Sequence, residues 1–126
     1  MPEGRCNCAS IKVSIAEMPK ESVICYCGNC RRAGSTPGSI VYMFNKSEVT
    51  IDDPNGALKS YKDSDTTSGN TIIRQFCSNC GCPIASLLSE DSPKIILKGG
   101  LFDHIPRPGV TSFEQNQPKW LEIARA

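Results

Sequence analysis

Apolar and polar positions alternate along much of this chain. Ile11, Val13 and Ile15 alternate with Lys12 and Ser14, the period-two pattern of a half-buried strand. Ser22 to Tyr26 predicts a second short strand that runs into a group of cysteines. Ile40 to Phe44 is apolar throughout and bounded by Gly38 and Asn45, as in a buried strand. Leu58 to Lys62 and Thr71 to Phe76 predict two more, joined by the polar loop Asp63 to Asn70. Ile84 to Leu88 and Lys94 to Lys98 complete a set of seven. The connections are rich in Gly, Pro, Asn, Asp and Ser, the residues of turns. Helical signals are weak; Ser47 to Ile51 predicts one short helical turn with Ser47 as its cap. After Gly100 the chain carries Pro106, Pro108 and Pro118 and reads as an irregular tail wrapping the sheets, with Trp120 as its buried anchor. Seven short strands with such loops predict an all-β domain.

The length of 126 residues suits a single domain over 1–126. Apolar residues are 39%, aromatics 6% and charged residues 21%, a globular composition rather than a disordered one. Apolar runs are only a few residues long, as in Ile95-Ile96-Leu97, so no transmembrane helix and no membrane partner are expected. The start, Met1-Pro2-Glu3-Gly4-Arg5, lacks the basic-then-apolar pattern of a secretory signal, so the expected location is cytoplasmic. The net charge of +1 argues against a nucleic-acid partner.

Eight cysteines change the picture. In a reducing compartment cysteines bind metal or do chemistry more often than they form disulfides. They fall in three groups: Cys6-x-Cys8, Cys25-x-Cys27-x-x-Cys30 and Cys77-x-x-Cys80-x-Cys82. Residues i and i+2 of a strand share a face, so Cys6 and Cys8 can offer two sulfurs to one ion. A Cys-x-x-Cys turn brings its sulfurs together around a tight loop, and Gly28-Asn29 and Ser78-Asn79 are suitable residues for such loops. Thiolates in tetrahedral array suit zinc, whereas hard cations prefer oxygen. Spacing alone also admits an iron–sulfur cluster. Cys25, Cys27 and Cys30 form a three-ligand group, the number that leaves a catalytic zinc an open position. If that group takes its own ion, Cys6, Cys8, Cys77 and Cys80 remain for a second, closed and structural. The rival partition joins Cys6 and Cys8 to Cys27 and Cys30. Cys82 reads as a small buried residue or a thiol lying behind the ligands.

Around the middle group, Arg31, Arg32 and Lys98 are candidate attractors for an anionic ligand. Ser35 and Thr36 are candidate hydrogen-bond donors in the turn after it. The only histidine, His104, sits beside the proline-rich tail and is assigned no role. No phosphate-cradling glycine loop is present, and the βαβ context of a Cys-x-x-Cys redox enzyme is missing.

Gly4-x-Cys6-x-Cys8, Cys25-x-Cys27-x-x-Cys30-Arg31 and Phe76-Cys77-x-x-Cys80-Gly81 resemble the glutathione-dependent formaldehyde-activating enzyme family, which also includes centromere protein V. Ser68-Gly69-Asn70, Lys98-Gly99-Gly100-Leu101 and Trp120 add to the resemblance. It implies an Mss4-like fold, or β-tent, of small antiparallel sheets stapled by two zinc ions per chain. It also implies that Cys6, Cys8, Cys77 and Cys80 hold a structural zinc, and that Cys25, Cys27 and Cys30 hold a catalytic one. The implied activity is that of a carbon–sulfur lyase acting on a thiol adduct of a small carbonyl compound, with glutathione the first candidate thiol. Arg31 and Ser35 are the expected substrate contacts. The alternative is a zinc-stabilised binding module without catalysis, since Mss4-like folds also serve as protein-binding domains.

Overall fold

The computed structural model describes residues 1–124; Arg125 and Ala126, the end of the expected 1–126 domain, lie outside the described residues. The strands are β1 (Glu3–Arg5), β2 (Lys12–Ile15), β3 (Ser22–Cys25), β4 (Ser39–Asn45), β5 (Val49–Asp52), β6 (Leu58–Asp63), β7 (Ile72–Cys77), β8 (Pro83–Leu87), β9 (Lys94–Lys98) and β10 (Pro108–Ser112). The helix α1 covers Gly28–Gly34. No helix among the described residues is long and apolar enough to cross a membrane.

The strands form two sheets, one in the order β1-β2-β5 and one in the order β10-β3-β4-β9-β8-β7-β6. All expected strands are present within a residue or so, and the fold is all-β as expected. Pairing is antiparallel except at one edge, where β10 runs parallel to β3.

Three expectations need correction. The segment read as a helical turn over 47–51 divides into a 3₁₀ turn, Lys46–Glu48, and strand β5. The turn is held by the Glu48 side chain accepting the Asn45 N–H at 2.8 Å, and the Val49/Ile51 alternation then takes over. The tail is not wholly irregular, because Pro108–Ser112 adds to the edge of the larger sheet. A strand edge tolerates proline, since one row of its N–H groups needs no partner. Trp120 is 76% exposed and anchors nothing.

Alternation decides which face each side chain serves. Val13 and Ile15 of β2 join Tyr42 of β4, Ile84 of β8 and Leu97 of β9 in one buried apolar cluster that draws on both sheets. Each such side chain contributes about 1.5–3 kcal/mol by leaving water. The intervening residues of the larger sheet face the other way. Val41 pairs with both Val23 and Lys98, and Ile96 pairs with Met43 and Ser86. These cross-strand rows form the floor on which the candidate site stands.

Candidate metal centre

Seven of the eight cysteines gather in two places. The sulfurs of Cys6, Cys8, Cys77 and Cys80 lie within 4.8 Å of one another, and so do those of Cys25, Cys27 and Cys30. Cys6 and Cys8 therefore meet Cys77 and Cys80 and do not join Cys27 and Cys30. A tetrahedron with metal–sulfur bonds of ~2.3 Å has edges of roughly 3.8 Å. Cys8 Sγ lies 3.6 Å from Cys6 Sγ and 3.7 Å from Cys77 Sγ, which fits. Both clusters could hold a metal ion.

The four-cysteine cluster is built from two tight reversals. After β1 the chain turns back through Ala9, whose φ of 63° is left-handed, and Ala9 N–H donates to the Cys6 carbonyl at 3.1 Å. Ile11 N–H then donates to Cys6 Sγ at 3.4 Å. At the end of β7, Gly81 N–H donates to the Cys77 carbonyl at 2.7 Å. Gly81 has φ +81°, a conformation that suits glycine, and it lets the chain return so that Cys77 N–H meets the Cys82 carbonyl at 2.9 Å. Hydrogen bonds from the Ser10 and Asn79 side chains pull the Cys8 thiol down to about 5, which favours the ligating thiolate. Cys6 and Cys77 are buried, Cys80 is half-buried and Cys8 is exposed, so the cluster sits at the surface with two of its members rooted in the core. Cys82 stands beside it, its sulfur accepting Asn7 N–H at 3.3 Å.

The three-cysteine cluster straddles a strand and a helix. Cys25 ends β3, Cys27 is the N-cap of α1, and Cys30 lies in the first turn. The cap is the thiol itself, with Cys30 N–H donating to Cys27 Sγ at 3.2 Å. Sequence reading expected only a tight turn here. A seven-residue helix with Gly28 and Gly34 at its ends shows no apolar periodicity, and a sulfur cap lies outside the usual Ser, Thr, Asp or Asn signal. The hydrogen bond from Cys30 pulls Cys25 down to about 5, with Lys98 assisting by its charge, and the same bond together with burial pushes Cys30 up.

This cluster opens on a pocket of about 270 Å³ over the outward face of the larger sheet. All three of its cysteines line the pocket, and none of the other four cluster cysteines does. Lys98 is 7% exposed and donates to Ser39 Oγ at 3.4 Å. Burial pushes its ammonium down in pKa, while the Cys30, Cys25 and Cys27 thiolates work the other way. Among the described residues no carboxylate pairs with it.

A second polar group supports the helix. Arg74 Nε donates to Asp63 Oδ2 at 2.7 Å, and Asn29 of α1 donates to Asp63 Oδ2 at 3.3 Å and to the Asp65 carbonyl at 2.8 Å. This network joins the helix to the β6–β7 hairpin. Sequence reading missed it, because its three members are far apart in the chain and each is an ordinary polar residue. Arg31 and Ser35, expected as substrate contacts, are exposed and do not line the pocket. Ser35 is the left-handed cap that ends α1, with φ 50°. Arg32 and His104 are also exposed.

Among curated proteins, none matches the chain. Its structure is similar to the crystal structure of a Rhodobacter sphaeroides protein, with a TM-score of 0.62 and 18% identity, over 87% of this chain and 98% of that one. That likeness concerns the fold. The sequence profile named for the glutathione-dependent formaldehyde-activating enzyme matches residues 1–119, which include both cysteine clusters and every wall of the pocket, and the chain belongs to that family.

Proposed function

We propose that this protein is a zinc-dependent carbon–sulfur lyase of the cytoplasm that joins a thiol to a small carbonyl compound or splits the adduct. Glutathione is the first candidate thiol. One observation carries the reading: Cys25, Cys27 and Cys30 line a pocket beside a buried ammonium, while four other cysteines form a cluster away from it. A binding module needs only the four-cysteine cluster, so the pocket favours the enzyme. The family match supports the same class of chemistry.

In the reaction a sulfur–carbon bond forms and the carbonyl oxygen takes the thiol proton to become a hydroxyl; the reverse step breaks the same bond. Cys25, Cys27 and Cys30 would hold the zinc ion, which would favour the thiolate form of a bound thiol. Lys98 reaches the same pocket from the sheet and holds the oxygen as charge gathers on it. Val41 and Ile96 add apolar walls beside that contact. Cys6, Cys8, Cys77 and Cys80 would hold a second zinc, which would tie the N-terminal segment to β7.

The test is elemental analysis followed by titration. Protein purified without chelator should carry two zinc ions, and millimolar glutathione should give heat on mixing and change the spectrum of the cobalt-substituted form. One zinc per chain, substantial iron, or no response to glutathione would overturn the reading.

A further inference from the structure

The pocket has two unlike ends. Cysteine sulfurs and Lys98 occupy one. Along β4 and β9 the next outward positions are Met43 and Ile96, a register pair, and Val23 and Val41 form the adjacent row. Two residues along a strand span roughly 6.6 Å, so an apolar strip extends that far beyond the polar head. Phe113 stands at the opposite, cysteine end, one residue past Ser112, which pairs with Cys25. Met43 is 57% exposed, so the strip stays open to a ligand. Arg74, the other cation on the wall, is already paired with Asp63. A one-carbon carbonyl would leave this surface uncovered.

We propose that the carbonyl partner is an aldehyde bearing a short aliphatic chain, with the adduct's sulfur and oxygen at the cysteine–Lys98 end and its chain along Met43 and Ile96. The proposal rests on the thiol-adduct reading above and names its substrate class.

The experiment compares S-hexylglutathione with S-methylglutathione on the zinc-loaded protein by calorimetry. Burial of two methylenes alone gives about tenfold in affinity, so the hexyl compound should bind at least that much tighter. In the double variant Met43→Gln, Ile96→Thr the ratio should fall below about threefold on the same scale. Met43 is exposed and threonine keeps the β-branched shape of the half-buried Ile96, so the variant should fold. Methyl NMR gives an independent reading: the hexyl ligand should shift Ile96 and Val41 signals in the unaltered protein. Equal affinities for the two ligands overturn the aliphatic-chain proposal and leave the thiol-site reading standing. A high ratio that the double variant retains, with no shift at Ile96, places the chain elsewhere and also overturns it. Failure of both compounds and of glutathione itself to bind overturns the thiol-site reading and this proposal with it.

Discussion

Arg74 Nε and Asn29 Nδ2 donate to the same carboxylate oxygen, Asp63 Oδ2, at 2.7 and 3.3 Å. One acceptor thus ties the first turn of α1 to the hairpin that forms the pocket's far wall. The turn carries Cys30 and is capped by Cys27, so the geometry of the candidate metal site depends on a contact that lies outside it. Asp63 and Arg74 are mostly shielded from water, with side chains 15% and 17% exposed, unlike the open pair Lys62–Glu90 at 68% and 69%. Only the first pair is placed to matter.

Asp63→Asn keeps the shape and removes the charge. Arg74 beside it holds the Asp63 carboxyl below its usual range. A carboxyl with a lowered folded-state pKa stabilises the protein above its unfolded value of ~3.9, and that stability is lost as pH falls through the lower folded value. The native protein should therefore exceed Asp63→Asn in stability by about 1.5–3 kcal/mol at neutral pH, the usual worth of a hydrogen bond to a charged group. The gap should stay flat between pH 8 and about 5. Urea denaturation across that range is the measurement, and a gap that changes within it assigns the effect to another group.

Lys98→Met tests the ammonium. Methionine preserves much of the volume and the apolar stem but donates no hydrogen bond. Loss of one donor to a developing oxyanion typically costs about 10²–10³ in kcat. We expect a loss of that order with both metal sites still filled. Full activity in Lys98→Met, or loss of metal from it, would remove Lys98 from the role assigned to it.

Gly4→Ala probes the delivery of Cys6. An added Cβ would lie 2.7 Å from the Leu101 carbonyl oxygen, a backbone atom with little room to yield. Gly4 also bridges Phe102, so the clash falls where β1 meets the segment after β9. Overpacking of this kind costs about 1–3 kcal/mol. The variant should unfold at lower urea and release the metal of the four-cysteine cluster more readily to a chelator. An unchanged midpoint would mean that the segment around Leu101 moves aside freely.

The regular strands were legible because alternation is a local signal. Val13 and Ile15, or Ile95 and Leu97, announce a buried face within a few residues. Strand β1, Glu-Gly-Arg, was illegible because no apolar side chain marks it; it exists through pairing with β2. Strand β10 hid behind Pro108 and Gly109, and its place follows from a parallel edge pairing across more than eighty residues. The cysteine groups were visible from spacing, but spacing left two partitions, and only the fold brings Cys77 and Cys80 to Cys6 and Cys8. Arg31 and Ser35 looked suited to substrate because they follow Cys30 in the chain. A helix turns successive residues around its axis, so adjacency in sequence did not become adjacency in the pocket. Lys98 is buried beside the cluster through the β4–β9 register, which pairs it with Val41.

The two clusters should respond differently to loss of one sulfur. Cys80 belongs to a set that joins segments about seventy residues apart, and two of its members, Cys6 and Cys77, are buried in the core. Structural zinc contributes on the order of 10 kcal/mol to folding in small zinc peptides, and a whole domain is stable by only about 5–15 kcal/mol. Cys80→Ser should therefore be largely unfolded or insoluble. Cys25, Cys27 and Cys30 lie within six residues, so little long-range chain entropy depends on an ion there. Their helix is also held by Asn29 through Asp63 and Asp65, whatever occupies the sulfurs. Cys30→Ser should stay folded, keep close to one zinc and lose thiol binding. Circular dichroism and elemental analysis of the two variants side by side give the answer. Similar behaviour of the pair would weaken the division of labour. An unfolded Cys30→Ser beside a folded, active Cys80→Ser would reverse it, because the pocket-facing cluster would then be the one that the fold depends on.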